Sequence, residues 1–159
     1  MELVELNELR QVLEDFAKDI RERYRDVLMQ NDHVASHDLV NSVTTRVDMN
    51  GSAFEVIMTL KDYWKYVEED TRPHFPPPSA ILRWIEIKPV IPRPDAYGRI
   101  PTPKQLSYLI ARKISIEGTK GTHDLAQTKD DILTWYRDRI SQALGHDMEA
   151  YIRKIVVEK

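Results

Sequence analysis

Two histidines four residues apart, His33 and His37, are the first residues whose types and spacing suit chemistry. On a helix they would face one metal ion. Asp32 and Asp38 flank them, but no HExxH pattern accompanies the pair, so the segment reads as a solvated linker. Glu68, Glu69 and Asp70 are carboxylates of the kind that hold a divalent cation. Adjacent side chains at the end of a short helix point in different directions, so a solvated helix end is the simpler reading. Gly118-Thr119-Lys120-Gly121-Thr122 has the composition of a phosphate cradle. It lacks the GxxxxGK[ST] spacing and follows a helix instead of leading from a strand into one. Arg112, Lys113 and Lys120 form a basic patch near this turn, suited to a DNA backbone or an acidic protein surface. His74, His123 and His146 fall in expected loops, and no serine, histidine and carboxylate set announces a nucleophilic triad. The chain has no cysteine, which removes disulfides, thiolate zinc sites and cysteine nucleophiles together. No catalytic, cofactor-binding or metal-binding residue is therefore assigned.

The elements that would position these residues follow from periodicity. Leu6, Leu9, Leu13, Phe16, Ile20, Tyr24 and Val27 recur at steps of three and four, which predicts a long amphipathic N-terminal helix. Val43, Val47 and Met49 alternate with polar residues, and Phe54, Val56, Met58 and Leu60 resume the alternation beyond Asn50-Gly51, a primed-turn pair. This predicts a hairpin at about 43–60 with one apolar face, which the long helix would cover. Asp62 is expected to cap a short helix through Tyr63, Trp64, Tyr66 and Val67, with most of these rings in the core and one at an interface, since three rings in a row cannot all face inward. Pro78 or its neighbour opens another helix with Ile81, Leu82, Trp84 and Ile85 as its apolar face. That helix stops at Lys88, because the residue before Pro89 is pushed out of the α region.

All nine prolines lie between Pro73 and Pro103, and Pro89 to Pro101 reads as an extended loop turning at Tyr97-Gly98. Thr102-Pro103-Lys104-Gln105 is a capping-box start for a helix with Leu106, Leu109, Ile110 and Ile114 buried and Gly118 as its C-terminal cap. Thr128 with Asp131 would start a helix carrying Ile132, Tyr136, Ile140 and Leu144 and ending at Gly145. Tyr151 to Val157 suits either a strand beside the hairpin or a helix capped by Asp147. The order helix, hairpin, helices gives an α+β fold, read as one domain over residues 1–159.

Composition narrows the function classes. Hydrophobic residues make up 42% and charged residues 31%, as in a soluble globular protein. A net charge of -3 gives no global basic excess for nucleic acid. The acidic N-terminal residues Glu2, Glu5 and Glu8 do not suit a secretory signal, and no run approaches the roughly 18 apolar residues of a membrane span.

Several segments resemble, in this order, the tail-completion or head–tail joining (neck) proteins of long-tailed bacteriophages and prophages. They are Asp38-Leu39-Val40-Asn41-Ser42 before the hairpin, Tyr63-Trp64-Lys65-Tyr66-Val67-Glu68 leading to Asp70-Thr71, and Ile81, Trp84 and Ile85 after the proline step. Leu109-Ile110-Ala111-Arg112-Lys113-Ile114 with Gly118 to Thr122 closes the set, so the likeness covers about Ser36 to Thr122. Many members of that family carry a glycine where this chain has Glu69-Asp70, and the Pro89 to Pro101 loop is elaborated. The resemblance implies a virion subunit made in the host cytoplasm and assembled as a ring of identical copies. Its implied neighbours are the connector or adaptor and the tail-tube or tail-terminator proteins, with transient contact to DNA in the channel and none to a membrane. It implies no catalytic residues and no cofactor. On this reading the proline-rich loop and the first helix are contact arms, with Ile91, Tyr97, Arg99, Arg112, Lys113 and Lys120 as candidate interface residues. The alternative is a DNA-binding or nuclease-like accessory protein using Arg112, Lys113, Lys120 and the His33/His37 pair.

Overall fold

The computed structural model describes residues 5–31, 37–50, 53–88 and 90–157. The order of elements is α1 (Asn7–Gln30), α2 (Asp38–Ser42), β1 (Thr44–Asn50), β2 (Ala53–Thr59), α3 (Trp64–Glu68), α4 (Pro78–Ile87), α5 (Pro103–Glu117) and α6 (Asp124–Val157). The fold is α+β, with a long N-terminal helix on a two-stranded antiparallel sheet and further helices. By contacts the chain groups into two compact units, and neither is continuous in sequence. The first comprises Met1–Leu28, Ser42–Lys61 and Asp124–Lys159, and the second Met29–Asn41 and Asp62–His123.

In the first unit the hairpin register pairs Val47 with Val56, Thr45 with Met58 and Met49 with Phe54, which puts these side chains on one face. Phe16 and Ile20 of α1 and Ile132 and Tyr136 of α6 form the core, with Val56 and Met58 of β2 packed against them. Val43 is buried just ahead of β1, and of the expected turn Asn50-Gly51, Gly51 lies outside the described residues. Thr45 Oγ1 donates to the Ala17 carbonyl at 2.7 Å, tying the first strand to the first helix. The buried stripe of α1 ends on Leu28 instead of Val27.

The last helix departs most from expectation. It begins at Asp124, four residues before Thr128, and Thr128 is buried instead of capping. Gly145 lies inside the helix, and Tyr151 to Val157 continue it, so the strand alternative is set aside. A helix is the lower-cost choice here because buried Thr128, Ile132, Tyr136, Ala143 and Asp147, with half-buried Ile140 between, recur at steps of three and four through the glycine. Asp147 caps a helix, but not its own. Its carboxylate accepts the N–H groups of Glu8 and Leu9 at 3.2 and 2.8 Å, satisfying orphan donors at the start of α1. Beside it His146 Nδ1 lies 2.9 Å from Glu8 Oε1, and this hydrogen bond raises the imidazole pKa above its ordinary 6.5.

In the second unit Ile81 and Ile85 of α4 pack on Ala111 of α5, bordered by Val90, Leu106, Ile110 and Ile114. Proline at the first position opens both helices, and α4 ends at Lys88, whose backbone is extended ahead of Pro89. The capping box of α5 is present in full, with Thr102 and Gln105 exchanging side-chain and backbone hydrogen bonds. Asp62 does not cap α3: the cap position is Tyr63, and its side chain makes no capping bond.

Candidate interaction surface

Two loops of the second unit are tightly built. The first is the strap from Gly118 to His123, which the sequence suggests is a flexible polar turn. It is docked along Val67 to Thr71. Thr71 N–H donates to the Thr119 carbonyl at 2.9 Å, and Thr119 N–H donates back to Thr71 Oγ1 at 3.0 Å. Gly121 N–H donates to Asp70 Oδ1, Thr122 N–H to the Val67 carbonyl and His123 N–H to the Glu68 carbonyl. The amides that a phosphate cradle would need are thus spent inside the protein. Gly118 sits at φ +73, and a Cβ on it would lie 2.1 Å from the Thr71 carbonyl oxygen. A Cβ on Gly121 would lie 2.2 Å from that of Glu68, so both positions are glycine because backbone meets backbone there. The strap therefore ties together two segments about 50 positions apart in the sequence. Glu68 is buried while Glu69 and Asp70 are exposed, and no group of three potential metal ligands converges among the described residues. His33 lies outside the described residues, and His37 precedes α2 with a positive φ.

The second is the tip of the proline-rich loop. Asp95 N–H donates to the Arg99 carbonyl and Gly98 N–H to the Asp95 carbonyl, each at 2.9 Å. Asp95 Oδ1 accepts the N–H groups of Tyr97 and Arg99, and Oδ2 accepts Arg99 Nε at 2.9 Å. The Arg99 amide, with the other donors, holds the Asp95 carboxyl below the usual carboxylate range. The guanidinium of Arg99 lies 5.1 Å from the Tyr97 ring centroid, a cation–π contact. Tyr97 is held in place yet 83% exposed, and Ile91 at the loop's beginning is 90% exposed. With the backbone beneath it already ordered and its ring against the Arg99 guanidinium, Tyr97 has less order left to lose when a partner covers it.

Between this loop and α5 runs a groove of about 1030 Å³, lined by Arg93, Asp95, Arg99, Ile100, Pro101, Thr102, Lys104, Gln105, Tyr108 and Leu109. Of the candidate interface residues, Tyr97 and Arg99 share the tip, and Arg99 forms part of the groove wall. Arg112 and Lys113 lie one turn farther along α5 from Tyr108 and Leu109, exposed on the same outward face. Lys113 makes a loose pair with Glu117 at 3.8 Å. Lys120 is exposed on the strap, so it belongs to a different loop from Tyr97 and Arg99.

Sequence reasoning missed Arg93, Lys104, Tyr108 and Leu109 as surface residues. Periodicity places Leu109 in the buried stripe, yet it is 51% exposed, and Ser107 and Ala111 take the inward positions. The signal was there in principle. Ser107 and Ala111 are small, four apart, and let α4 approach the helix closely, whereas Tyr108 and Leu109 sit a residue or two round the cylinder. The rings in and before α3 depart from expectation too. Tyr66 is 69% exposed, Tyr63 is exposed and Trp64 only half-buried, because a five-residue helix has too little inward surface for three large rings. Among the described residues no helix is long and apolar enough to cross a membrane. No protein-family model matches this chain, and neither a curated protein nor a solved structure matches it.

Proposed function

We propose that this chain is a structural, non-enzymatic subunit of the neck or tail-completion region of a long-tailed phage, assembling as a ring of copies between the head connector and the tail. The observation that carries the reading is the loop tip: the Tyr97 backbone is held by the Asp95 turn, and its ring, against Arg99, projects into water. Within the monomer that order stabilises little; at an interface it presents an anchor of a kind enriched among binding hot spots. The exposed Tyr108, Leu109 and Ile116 along α5 extend the same surface. The ordered set of segments from Asp38 to Thr122 supplies the virion context. Ring formation requires one face to complement a different face of the next copy, which suits a chain whose contact arms are dissimilar.

The test is to delete the gene from a phage or inducible prophage that carries it and inspect the lysate by electron microscopy. Full heads and finished tails that fail to join are expected, with the protein found at the neck of wild-type particles. Normal joining and normal infection without the gene would sink the proposal, as would a metal-dependent DNA cleavage product made by the purified protein.

A further inference from the structure

The groove beside the loop has an unbalanced charge. Its cations are Arg93, Arg99 and Lys104, and its carboxylate is Asp95. Asp95 is already saturated by the turn and by Arg99 Nε, whereas Arg93 and Lys104 make no ion pair among the described residues. The positive end of α5 opens at the same place, adding a partial charge of the same sign. Tyr108 and Leu109 give the opposite wall an apolar surface in water.

We propose that this groove takes an acidic, apolar-containing segment of a different polypeptide, not of another copy of this chain, its carboxylates toward Arg93 and Lys104 and its apolar side chains against Tyr108 and Leu109. The inference rests on the reading of the chain as an assembly subunit. The groove is an open trough, which suits an extended peptide better than a compact metabolite, whose pockets enclose most of the ligand. Nucleic acid fits less well. Even with Arg112 of the adjoining turn added, three cations give a salt slope of only about 3, against about 5–9 for six to ten phosphate contacts, and a phosphodiester backbone leaves the apolar wall unused.

The experiment pans immobilised full-length protein with a display library of short random peptides, counter-selecting on an Arg93→Gln, Lys104→Gln, Leu109→Ser variant. All three side chains are exposed, so the variant should keep the wild-type circular dichroism; if it does not, Lys104→Gln alone replaces it. The expected outcome is enrichment of peptides that combine Asp or Glu with large apolar residues, bound at least tenfold more weakly by the variant. Enrichment without acidic residues, equal binding to the variant, no enrichment at all, or displacement of the peptides by stoichiometric duplex DNA would each overturn the inference. So would self-association that the variant abolishes, because the groove would then belong to a second copy. Detection at the neck of purified particles is a separate readout, so peptide binding can fail while the virion assignment stands.

Discussion

Gly121 and Asp95 each control a loop whose order a composition-based reading would miss. Adding a methyl to Gly121 brings a Cβ within 2.2 Å of the Glu68 carbonyl oxygen, and backbone on both sides leaves no flexible end to move away. Gly121→Ala should lower stability by roughly 1–3 kcal/mol, as overpacking does elsewhere, read as a drop in the urea midpoint at unchanged slope. Asp95 acts through charge. Its folded pKa is depressed, so its contribution to the tip is present above the ordinary value of 3.8 and is lost as pH falls through the lower folded value. Asp95→Ala should collapse the amide protection of Tyr97 and Arg99 while leaving the melting temperature nearly unchanged, because the turn is exposed and remote from the buried residues. If global melting fell with it, the tip would be part of the core's cooperative unit. The sequence marks Gly121 as part of a polar turn and places a turn at Tyr97-Gly98, but it does not single out Asp95. The partners of Asp95 lie two to four residues on, but what Gly121 meets lies about 50 positions away, and local pattern does not reach that far.

At the scale of elements, α6 and α1 define one another. The first turn of α1 has no capping side chain of its own that the sequence singles out, and Asp147 supplies the acceptor from a distant helix. Asp147→Ala should cost about 1 kcal/mol, the usual loss for removing a cap, with hydrogen-exchange protection falling first around Leu9. His146 adds a pH signature. Its folded pKa is raised by Glu8, so the stabilisation is complete below about 6.5 and is lost as pH rises through the folded value. Denaturation midpoints measured from pH 6 to 8 should fall more steeply for the wild type than for His146→Gln; parallel curves would show that the exposed pair contributes nothing. Gly145 tests the helix itself. A Cβ there meets nothing within 4 Å, so Gly145→Ala should stabilise by roughly 0.5–1 kcal/mol. Were residue 145 a helix end, the same change would do harm. A glycine followed by a β-branched run looks like a stop and a strand only when the continuing inward spacing of Ala143 and Asp147 is overlooked.

For the whole molecule, the chain passes between its two units after residues 28, 41, 61 and 123, so neither unit is a continuous piece of sequence. On the assembly reading, the exposed tip matters to joining and not to folding. A Tyr97→Ser, Ile91→Ser double variant should melt within about 0.5 kcal/mol of the wild type, as exposed substitutions do, yet fail to restore joined particles to a deletion strain. Full complementation by that variant would remove the tip from the interface. The sequence by itself determined the elements whose causes are local: the amphipathic first helix, the paired strands, the proline-opened α4 and the capping box of α5. Each depends on residues within one or two turns of one another, so spacing and side-chain type suffice. Only the tertiary structure decided that the strap at Gly118 to His123 is pinned to Val67–Thr71, that Asp147 caps α1, and that Tyr108 and Leu109 face water beside Arg93 and Lys104. Those outcomes depend on which distant groups share a small volume, and the desolvation and hydrogen-bond energies that select them arise only once the chain has closed.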